Sequence, residues 1–581
     1  MKTTLFLFSI SLFSLTIYSQ PFQTNVEVAN GFYHDINIET INDLSNDFAI
    51  AANIFDTNFT TQLMAIHRMN AAGTIQWSNT YTDAVFPEVR VLDVVNVVDK
   101  IYATGYVADG SGKRSTFIAE IQASNGAVLN AHFYDIVNPG FNSQGFKIVQ
   151  TNSDANNDTV SDPGFLVVGL FGACQATDIS CALNIGFVLR TDMNLAPIWT
   201  IELENNNSTA GTFDFDFIND ITETPTGFFL TGSITGQVTP GVDQQGVLAY
   251  KIDFLGNPLW DQSYIFGNSQ DVSVDAYYDS NSQQIFMLCN YSQTHYFGVT
   301  KLADATGVID PGSWFLTGND LNTYAFRIME SFNNPNTLLI SGYDRDESWV
   351  DGSNNPQFGQ TNVFVHEFNK NTGAITGGTR QYLVPHVEHG PEEFNFWGFQ
   401  QPVIYYPDIS LPYTLNDGSG TYLYHAGYRT TPNSTTAAEL FAVPGSMDNE
   451  CVNLDKSLTL QPLVFNSIIG TTGHVTPSMG TLQLVASPFN VQERICDDTL
   501  AVSDNELPAI KLYPNPASQH VYVYGMDLSS YHLLDSLGRV VLTGTLSSGE
   551  NISLSTVVSG VYFLKIQLRD GRYTIKKLIV K

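Results

Sequence analysis

Phe165-Leu-Val-Val-Gly169 is a short apolar run closed by a residue without a side chain, and it returns along the chain. The other copies read Phe48-Ala-Ile-Ala-Ala52, Ile101-Tyr-Ala-Thr-Gly105, Phe228-Phe-Leu-Thr-Gly232, Ile285-Phe-Met-Leu-Cys289, Leu338-Leu-Ile-Ser-Gly342 and Tyr422-Leu-Tyr-His-Ala426. Taken in chain order, their first residues are 53, 64, 63, 57, 53 and 84 positions apart. A small residue at the fifth place predicts that another backbone comes close there. On this reading the small residues sit on inner strands, where neighbouring units converge.

Each copy has the same surroundings. A second apolar strand follows, as in Phe117-Ile-Ala-Glu, Phe187-Val-Leu-Arg, Leu248-Ala-Tyr-Lys, Phe297-Gly-Val-Thr and Val363-Phe-Val-His. A turn comes next at Gly73, Gly126, Gly256, Gly307 or Gly373, with Asn194 in that place in the third copy, and several turns lead to a tryptophan: Trp77, Trp199, Trp260 and Trp314. Another apolar strand precedes each copy. Four strands per unit with glycine turns and no helical period point to an all-β chain. One four-stranded unit cannot bury both of its faces, whereas units packed radially can. The expected fold is therefore a seven-bladed β-propeller of four-stranded blades over residues 20–450. Thr24-Asn-Val-Glu-Val28 would complete the seventh blade and close the ring. The pattern is similar to the loose glycine-and-tryptophan propeller repeats of secreted bacterial proteins. Stacked β-sandwiches are the competing architecture.

The two ends carry addresses. Met1-Lys2, the apolar stretch Leu5–Ile17 and Ser19-Gln20 form a basic, apolar and small-residue sequence that reads as a signal peptide over residues 1–19. No other segment reaches the roughly 20 apolar residues of a membrane helix. At the far end stand Tyr513-Pro514-Asn515-Pro516, Asp535-Ser-Leu-Gly538-Arg539, Ser559-Gly560-Val561-Tyr562 and Lys576-Lys577. Residues 506–581 resemble the type A C-terminal sorting domain of the Bacteroidetes type IX secretion system. The resemblance carries Pro514, Asn515, Pro516, Gly538, Arg539, Gly560, Tyr562 and Lys577 over as sorting-signal positions, and makes the secretion machinery a partner. It implies export to the cell surface or the medium. Alternation in Val521-Tyr-Val-Tyr and Val561-Tyr-Phe-Leu-Lys-Ile predicts about seven short strands, a small Ig-like β-sandwich.

The chain of 581 residues has a formal net charge of −32. Residues 506–581 hold eight Lys+Arg and five Asp+Glu, a net of +3, which leaves −35 on residues 1–505. Such acidity excludes general nucleic-acid binding, which needs cations for phosphate. The five cysteines suit an oxidising compartment. Cys174 with Cys181 and Cys451 with Cys496 are the expected disulfides, and Cys289 in its apolar run is expected to be a buried free thiol. Residues 451–505 read as a cysteine-bracketed hairpin followed by a polar linker.

Among candidate sites the sharpest is Asp154, Asn156, Asp158, Val160 and Asp162. Side-chain oxygens at alternate positions, plus the Val160 carbonyl, follow the front of a calcium loop. Thr159 stands where such loops have glycine and Phe165 where they have a bidentate glutamate, so the alternative is a solvated hairpin loop. Calcium is the one cofactor the sequence suggests. His386, Glu388, His389, Glu392 and Glu393 gather metal-ligating groups, but Pro385 and Gly390-Pro391 make that stretch a loop. The tryptophans read as blade packing rather than glycan platforms, with Trp349 the better ligand contact. No sialidase-type Asp box, Gly-x-Ser-x-Gly elbow, phosphate loop or dinucleotide fingerprint occurs. The expected function is non-catalytic binding of a glycan or surface protein. The alternative is an extracellular propeller enzyme, either a polysaccharide hydrolase or lyase or a quinone-dependent dehydrogenase.

Overall fold

The computed structural model describes residues 23–495 and 511–581 apart from short stretches between strands, the longest being 383–392. There is no helix among the described residues, and so none long and apolar enough to cross a membrane. The chain divides into two compact units, Met1–Cys496 and Asp497–Lys581.

Among its described residues the first unit contains seven sheets of five or six strands built on one antiparallel plan, besides two two-stranded pairs. The third shows it: Phe141–Thr151, Gly164–Gln175, Leu183–Asp192 and Pro197–Glu204 pair in chain order. The repeated apolar run is the second strand of its sheet, and the tryptophan strand is the fourth. The innermost strands are Gly31–Ile41, Glu88–Val97, Phe141–Thr151, Phe217–Thr224, Asp271–Asp279, Asn322–Glu330 and Asp408–Ile409. Each touches the next, and the last touches the first, so the sheets form a closed, propeller-type circle. Gln23–Glu27 pairs with Thr436–Pro444 in the seventh sheet, so the amino-terminal strand completes the sheet that precedes its own.

The core lies between sheets, as radial packing requires. Ala49, Ala51, Met64 and Ile66 of the first sheet meet Val89, Val91, Ile101 and Phe117 of the second in one buried cluster. Tryptophans join neighbours in the same way. The Trp77 indole N–H donates to the Ala123 carbonyl (2.9 Å), and that of Trp260 to the Asp304 carbonyl (2.8 Å). Under these rings sit the left-handed turn glycines of the following sheet, Gly126 (φ 71°) and Gly307 (φ 67°), where a Cβ would strike the indole. In the third sheet the left-handed position is Leu195 (φ 68°), not the expected Asn194. Burial of its side chain holds that leucine in a conformation that asparagine adopts more readily.

The small fifth residue does meet another backbone, as expected, but in a different place. It lies on the second strand, not the innermost, and the backbone it admits belongs to its own sheet. A Cβ on Gly105, Gly169 or Gly232 would fall on the carbonyl oxygen of Arg90, Gln144 or Phe217. Those carbonyls belong to first strands whose register shifts at the same point, Val91/Asp93, Gly145/Lys147 and Ile218/Asp220. A bulge pushes the carbonyl toward its partner strand, and at these three positions a residue without a side chain leaves room for it, whereas Cys289 stands opposite the shift at Ser273/Asp275.

Residues 451–505 do not form the expected hairpin. Their strands are spread around the whole unit. Asn453–Leu454 pairs with the outer strand of the sixth sheet, Leu458–Pro462 with the fifth and Asn466–Ser467 with the fourth. Thr471–Val475, Ser478–Thr481 and Val485–Pro488 continue to the third, second and first, and Gln492–Ile495 ends on the seventh. Each blade expected to have four strands thus receives a fifth. A four-stranded sheet leaves one row of N–H and C=O groups open, and this girdle pairs it. Strand twist sets its course: about 20–25° per step turns the fifth strand roughly a right angle from the first.

The second unit has seven described strands in two sheets of three and four. Val521, Val523 and Ile552 of one sheet share a core with Leu533, Leu564, Ile566 and Leu578 of the other.

Candidate functional site

The bulges of the innermost strands give six of the seven sheets one polar residue at an equivalent place. These residues are Asn37, Asp93, Lys147, Asp220, Asp275 and Arg327, each just after the register shift. They connect from sheet to sheet. The Asn37 amide donates to Asp93 Oδ1 (2.7 Å), Lys147 Nζ donates to the same oxygen (3.2 Å), and the Ile148 N–H donates to Oδ2 (2.8 Å). Asp275 accepts from the Ile328 N–H of the sixth sheet (2.8 Å) and lies 3.9 Å from Arg327. Burial pushes the Asp275 carboxyl up to about 7, helped by the Asp220 charge and opposed by Arg327 and Lys147.

Further out, the same kind of linkage recurs. Asn53 exchanges hydrogen bonds with Val91 (2.7 and 2.9 Å), and Asn290 with Ala325 (2.9 Å each). Buried Lys251 of the fourth sheet pairs with Asp304 (2.5 Å) after the third strand of the fifth. Buried Lys370 reaches Asp279 (3.4 Å) and Glu330 (2.7 Å). These groups face one another and join sheets. Sequence reading missed them, although several are single polar residues flanked by apolar ones, as in Leu92-Asp93-Val94, Phe146-Lys147-Ile148 and Phe326-Arg327-Ile328.

The acidic loop between the first two strands of the third sheet brings Asp154, Asp158 and Asp162 together, with one carboxylate oxygen of each within 4.8 Å of the others. Asp154 Oδ1 accepts from the N–H groups of Asn156 (3.1 Å), Asn157 (2.7 Å) and Asp158 (3.3 Å), and its Oδ2 from that of Thr159 (2.6 Å). Partial burial raises the Asp154 carboxyl, but these four donors outweigh it and hold the group below its ordinary value. Thr159 takes φ 70° where calcium loops have glycine, so the departure noted in the sequence is borne by the backbone. Asn156 and Val160 are exposed, and Val160 N–H donates to Asp158 Oδ1 (2.8 Å). The loop is tied down by Arg190, whose buried guanidinium donates to the Asp162 carbonyl. Three converging carboxylates are a hard oxygen donor set of the kind calcium takes.

In the second unit the Pro-Asn-Pro stretch is fixed to the final strand, Tyr573–Val580. The Asn515 side chain donates to the Lys577 carbonyl (2.8 Å) and accepts from the Ile579 N–H (2.9 Å), so one carboxamide substitutes for a paired strand. Pro514 and Pro516 on either side donate no backbone N–H. Arg539 holds Asp535 through its side chain (2.8 Å) and backbone N–H (3.0 Å), while Gly538 lies outside the described residues. Tyr562 OH donates to the Val558 carbonyl (2.7 Å), and Gly560 lies against the Tyr562 ring. Lys577 is exposed on the last strand.

Cys289 is free and buried, its thiol pushed up to about 12 by burial. Cys174 lies in the strand Gly164–Gln175, with its side chain outside the described set. Cys181, Cys451 and Cys496 lie outside the described residues, as do His386, Glu388, His389 and Glu392. Trp349 belongs to a short strand, Trp349–Val350, paired with Pro356–Gln357.

Residues 511–581 match the family described as the secretion system C-terminal sorting domain. The second unit is thus a type IX secretion sorting domain, and the protein is delivered to the extracellular space or the cell surface. No curated protein matches the chain. Among solved structures, the quinohemoprotein alcohol dehydrogenase of Comamonas testosteroni is 9% identical with a TM-score of 0.27, over 73% of this chain and 77% of that one. The extracellular domain of a putative one-component system of B. thetaiotaomicron is 11% identical with a TM-score of 0.13, over 97% of this chain and all of the other, 100%. Likenesses this weak carry nothing about activity.

Proposed function

We propose that the first unit is a secreted seven-bladed β-propeller that binds a glycan or a surface protein through its loops and catalyses nothing. The second unit is read as an Ig-like sandwich that addresses it, and residues 1–19 as a signal peptide. The observation that supports binding over chemistry is the disposition of the buried charges. Buried Asp93, Asp275, Lys251 and Lys370, with half-buried Lys147, are engaged in joining neighbouring sheets. A general acid or base needs a polar atom within reach of substrate, and these face protein. Rigid rings with variable loops are a common platform for recognition. A glycan array with residues 20–505 tests this reading: retention of one glycan class is expected. Turnover on a polysaccharide panel, or alcohol oxidation with an added quinone, would put the enzyme alternative first.

Calcium at Asp154, Asn156, Asp158, Val160 and Asp162 is a further part of the reading, supported by the converging carboxylates. The expected result is a rise of the melting midpoint with added calcium, by about RT ln(1 + [Ca]/Kd) in free energy, and loss of that rise in Asp154→Ala. A midpoint indifferent to calcium removes the site. Cys174 and Cys181 are proposed to close the excursion between the second and third strands of the third sheet.

A further inference from the structure

One aromatic ring at the joint between the second and third sheets carries two cations. Tyr106 is buried near the end of the strand Lys100–Ala108. The Arg114 guanidinium lies 4.5 Å from its ring centroid and that of Arg90 5.8 Å. All three share one face of the sheet. Arg90 pairs with Tyr106 across the strands, and Arg114 stands two residues before Thr116, the partner of Tyr106 on the other side. The ring is fixed through its hydroxyl, which donates to Glu88 Oε1 (2.6 Å) and accepts from Arg90 (3.3 Å). Asn142 of the third sheet reaches across, its side-chain oxygen accepting from the Arg114 N–H (2.8 Å).

Arg114 is an exception among the cations around it. Residues 1–505 hold 17 Lys+Arg against 52 Asp+Glu, the remainder of 25 and 57 after the eight and five of the tail. Lys100, Lys113 and Lys147 each pair with a carboxylate. Among the described residues the half-buried Arg114 side chain has no ion-pair or hydrogen-bond partner, and what holds it is the ring of Tyr106. Contact through the face of an aromatic ring leaves the N–H donors of a guanidinium unused. The Asn142 carboxamide nitrogen likewise has no partner among the described residues. The two guanidinium groups are no more than about 10 Å apart, roughly one Debye length, so they repel each other. A negative group seated beside Arg114 relieves that repulsion.

We infer that Arg114, seated on Tyr106 and joined by the Asn142 carboxamide, forms a subsite for an anionic saccharide whose carboxylate or sulfate it grips. The inference rests on the binding reading given above and supplies its ligand class. A guanidinium offers parallel N–H groups that fit two oxygens of either anion. A carboxamide nitrogen adds a donor that sugar oxygens can accept. Charge decides between a saccharide and an acidic protein partner. A sugar ring brings one charge among neutral hydroxyls, whereas an acidic protein surface brings several toward a body of net −35.

The subsite is reachable and built before a ligand arrives. Glu88 and Asn142 stand at the starts of two innermost strands, Glu88–Val97 and Phe141–Thr151, and with Arg114 they are half-buried, so solvent reaches the group. The turn at 109–113 fixes the backbone that leads into Arg114. Its Asp109 N–H donates to the Lys113 carbonyl (3.0 Å), and Asp109 Oδ1 accepts from the N–H groups of Ser111 (2.8 Å) and Lys113 (3.1 Å). The Lys113 ammonium is taken up by Asp135 and Ser115 and leaves the anion to Arg114. Affinity rises when such ordering is complete in the free protein.

The test uses the full secreted chain, titrated by saturation-transfer NMR with methyl β-D-glucuronide, glucose 6-sulfate, methyl β-D-glucoside and tetraglutamate. At least one anionic sugar is expected to bind about tenfold or more tightly than the neutral glucoside. The tighter of the two tells carboxylate from sulfate. Arg114→Gln should weaken that sugar by about tenfold or more, as loss of a charge-assisted pair does. Its melting midpoint should stay near the parent's, because no described group pairs with Arg114. Arg114→Lys keeps the charge without the fork and should fall between. No saturable binding of either anion, equal binding of the glucoside, preference for tetraglutamate, or parental affinity in Arg114→Gln overturns the inference. Should the variants fail to accumulate, the parent decides: added sodium chloride should weaken the anionic sugar, and indifference to salt overturns the subsite. Failure of the binding reading is separable on the glycan array. A parent that retains no glycan refutes that reading, whereas a neutral glycan retained equally by parent and Arg114→Gln refutes the subsite alone.

Discussion

Removal of residues 506–581 is expected to abolish surface delivery and leave the remaining body in the periplasm. The removed segment contains the whole sorting domain at 511–581, so nothing that the secretion machinery recognises is left. The lesion is one of address, not of folding. Val521, Val523, Leu533, Ile552, Leu564, Ile566 and Leu578 form a core within the second unit, and the division between the units falls at Cys496/Asp497. Every strand of the girdle, the last being Gln492–Ile495, stays with the body. The truncated protein should therefore melt near the midpoint that the first unit shows in the full chain. Cell fractionation with protease shaving reads the outcome. Normal delivery of the truncated protein would refute the sorting assignment, and its disappearance from every fraction would show that the body needs the tail to fold. A milder form is Asn515→Ala, which removes the side chain that ties the Pro-Asn-Pro stretch to Lys577 and Ile579 and should lower delivery without emptying it.

Much of the ring is legible in the sequence because its determinants are local. An apolar run ending in Gly105 or Gly169, a turn glycine such as Gly126 or Gly307, and a tryptophan such as Trp77 or Trp260 each fix a feature within about a dozen residues, so they repeat visibly. The amino-terminal strand was also readable, since a ring with one strand short in its last sheet has one obvious place for Gln23–Glu27.

Two features were not readable, for different reasons. The bulge opposite each small residue is a property of a pair of strands. Gly169 signals that something approaches, but only the register of Phe141–Thr151 shows that the intruder is the Gln144 carbonyl and that Lys147 is turned toward Asp93 in consequence. The girdle fails for a stronger reason. Strands of two to five residues such as Asn466–Ser467 and Leu458–Pro462 are too short to show alternation, and their partners lie one sheet further back at each step. Cysteines at both ends suggested a hairpin because that is the shortest closed path in sequence, whereas the chain takes a longer one in space. For the acidic loop the reverse holds. Its residues are contiguous, so convergence of Asp154, Asp158 and Asp162 was foreseeable, while Arg190, which anchors it from the neighbouring strand, was not.

Gly169→Val is expected to destabilise the first unit by about 3 kcal/mol or more, at the upper end of what overpacking a filled interior costs. Gly169 is not one of the left-handed glycines, so the backbone itself would accept a side chain. The obstacle is space. Its Cβ would lie on the Gln144 carbonyl oxygen, with the Gln144 carbon and the Gly145 Cα both close behind. All three are backbone atoms of the adjoining strand, and backbone in a paired strand cannot swing aside as a lysine end could. Relief would require flattening the bulge at Gly145/Lys147, which shifts Lys147 and the Ile148 N–H away from Asp93. The Asp93 carboxylate would then be left buried without its cation, an outcome costlier than the steric contact alone. Damage to one sheet should thus loosen its joint with the sheet before it. Gly105→Val should act alike through the Arg90 carbonyl. Gly110→Val supplies the control, because a Cβ there meets nothing within 4 Å and the expected change is within about 0.5 kcal/mol. Urea unfolding monitored by tryptophan fluorescence reads all three, and coincident midpoints for the Gly169 and Gly110 variants would show that the small residue answers to something other than the bulge.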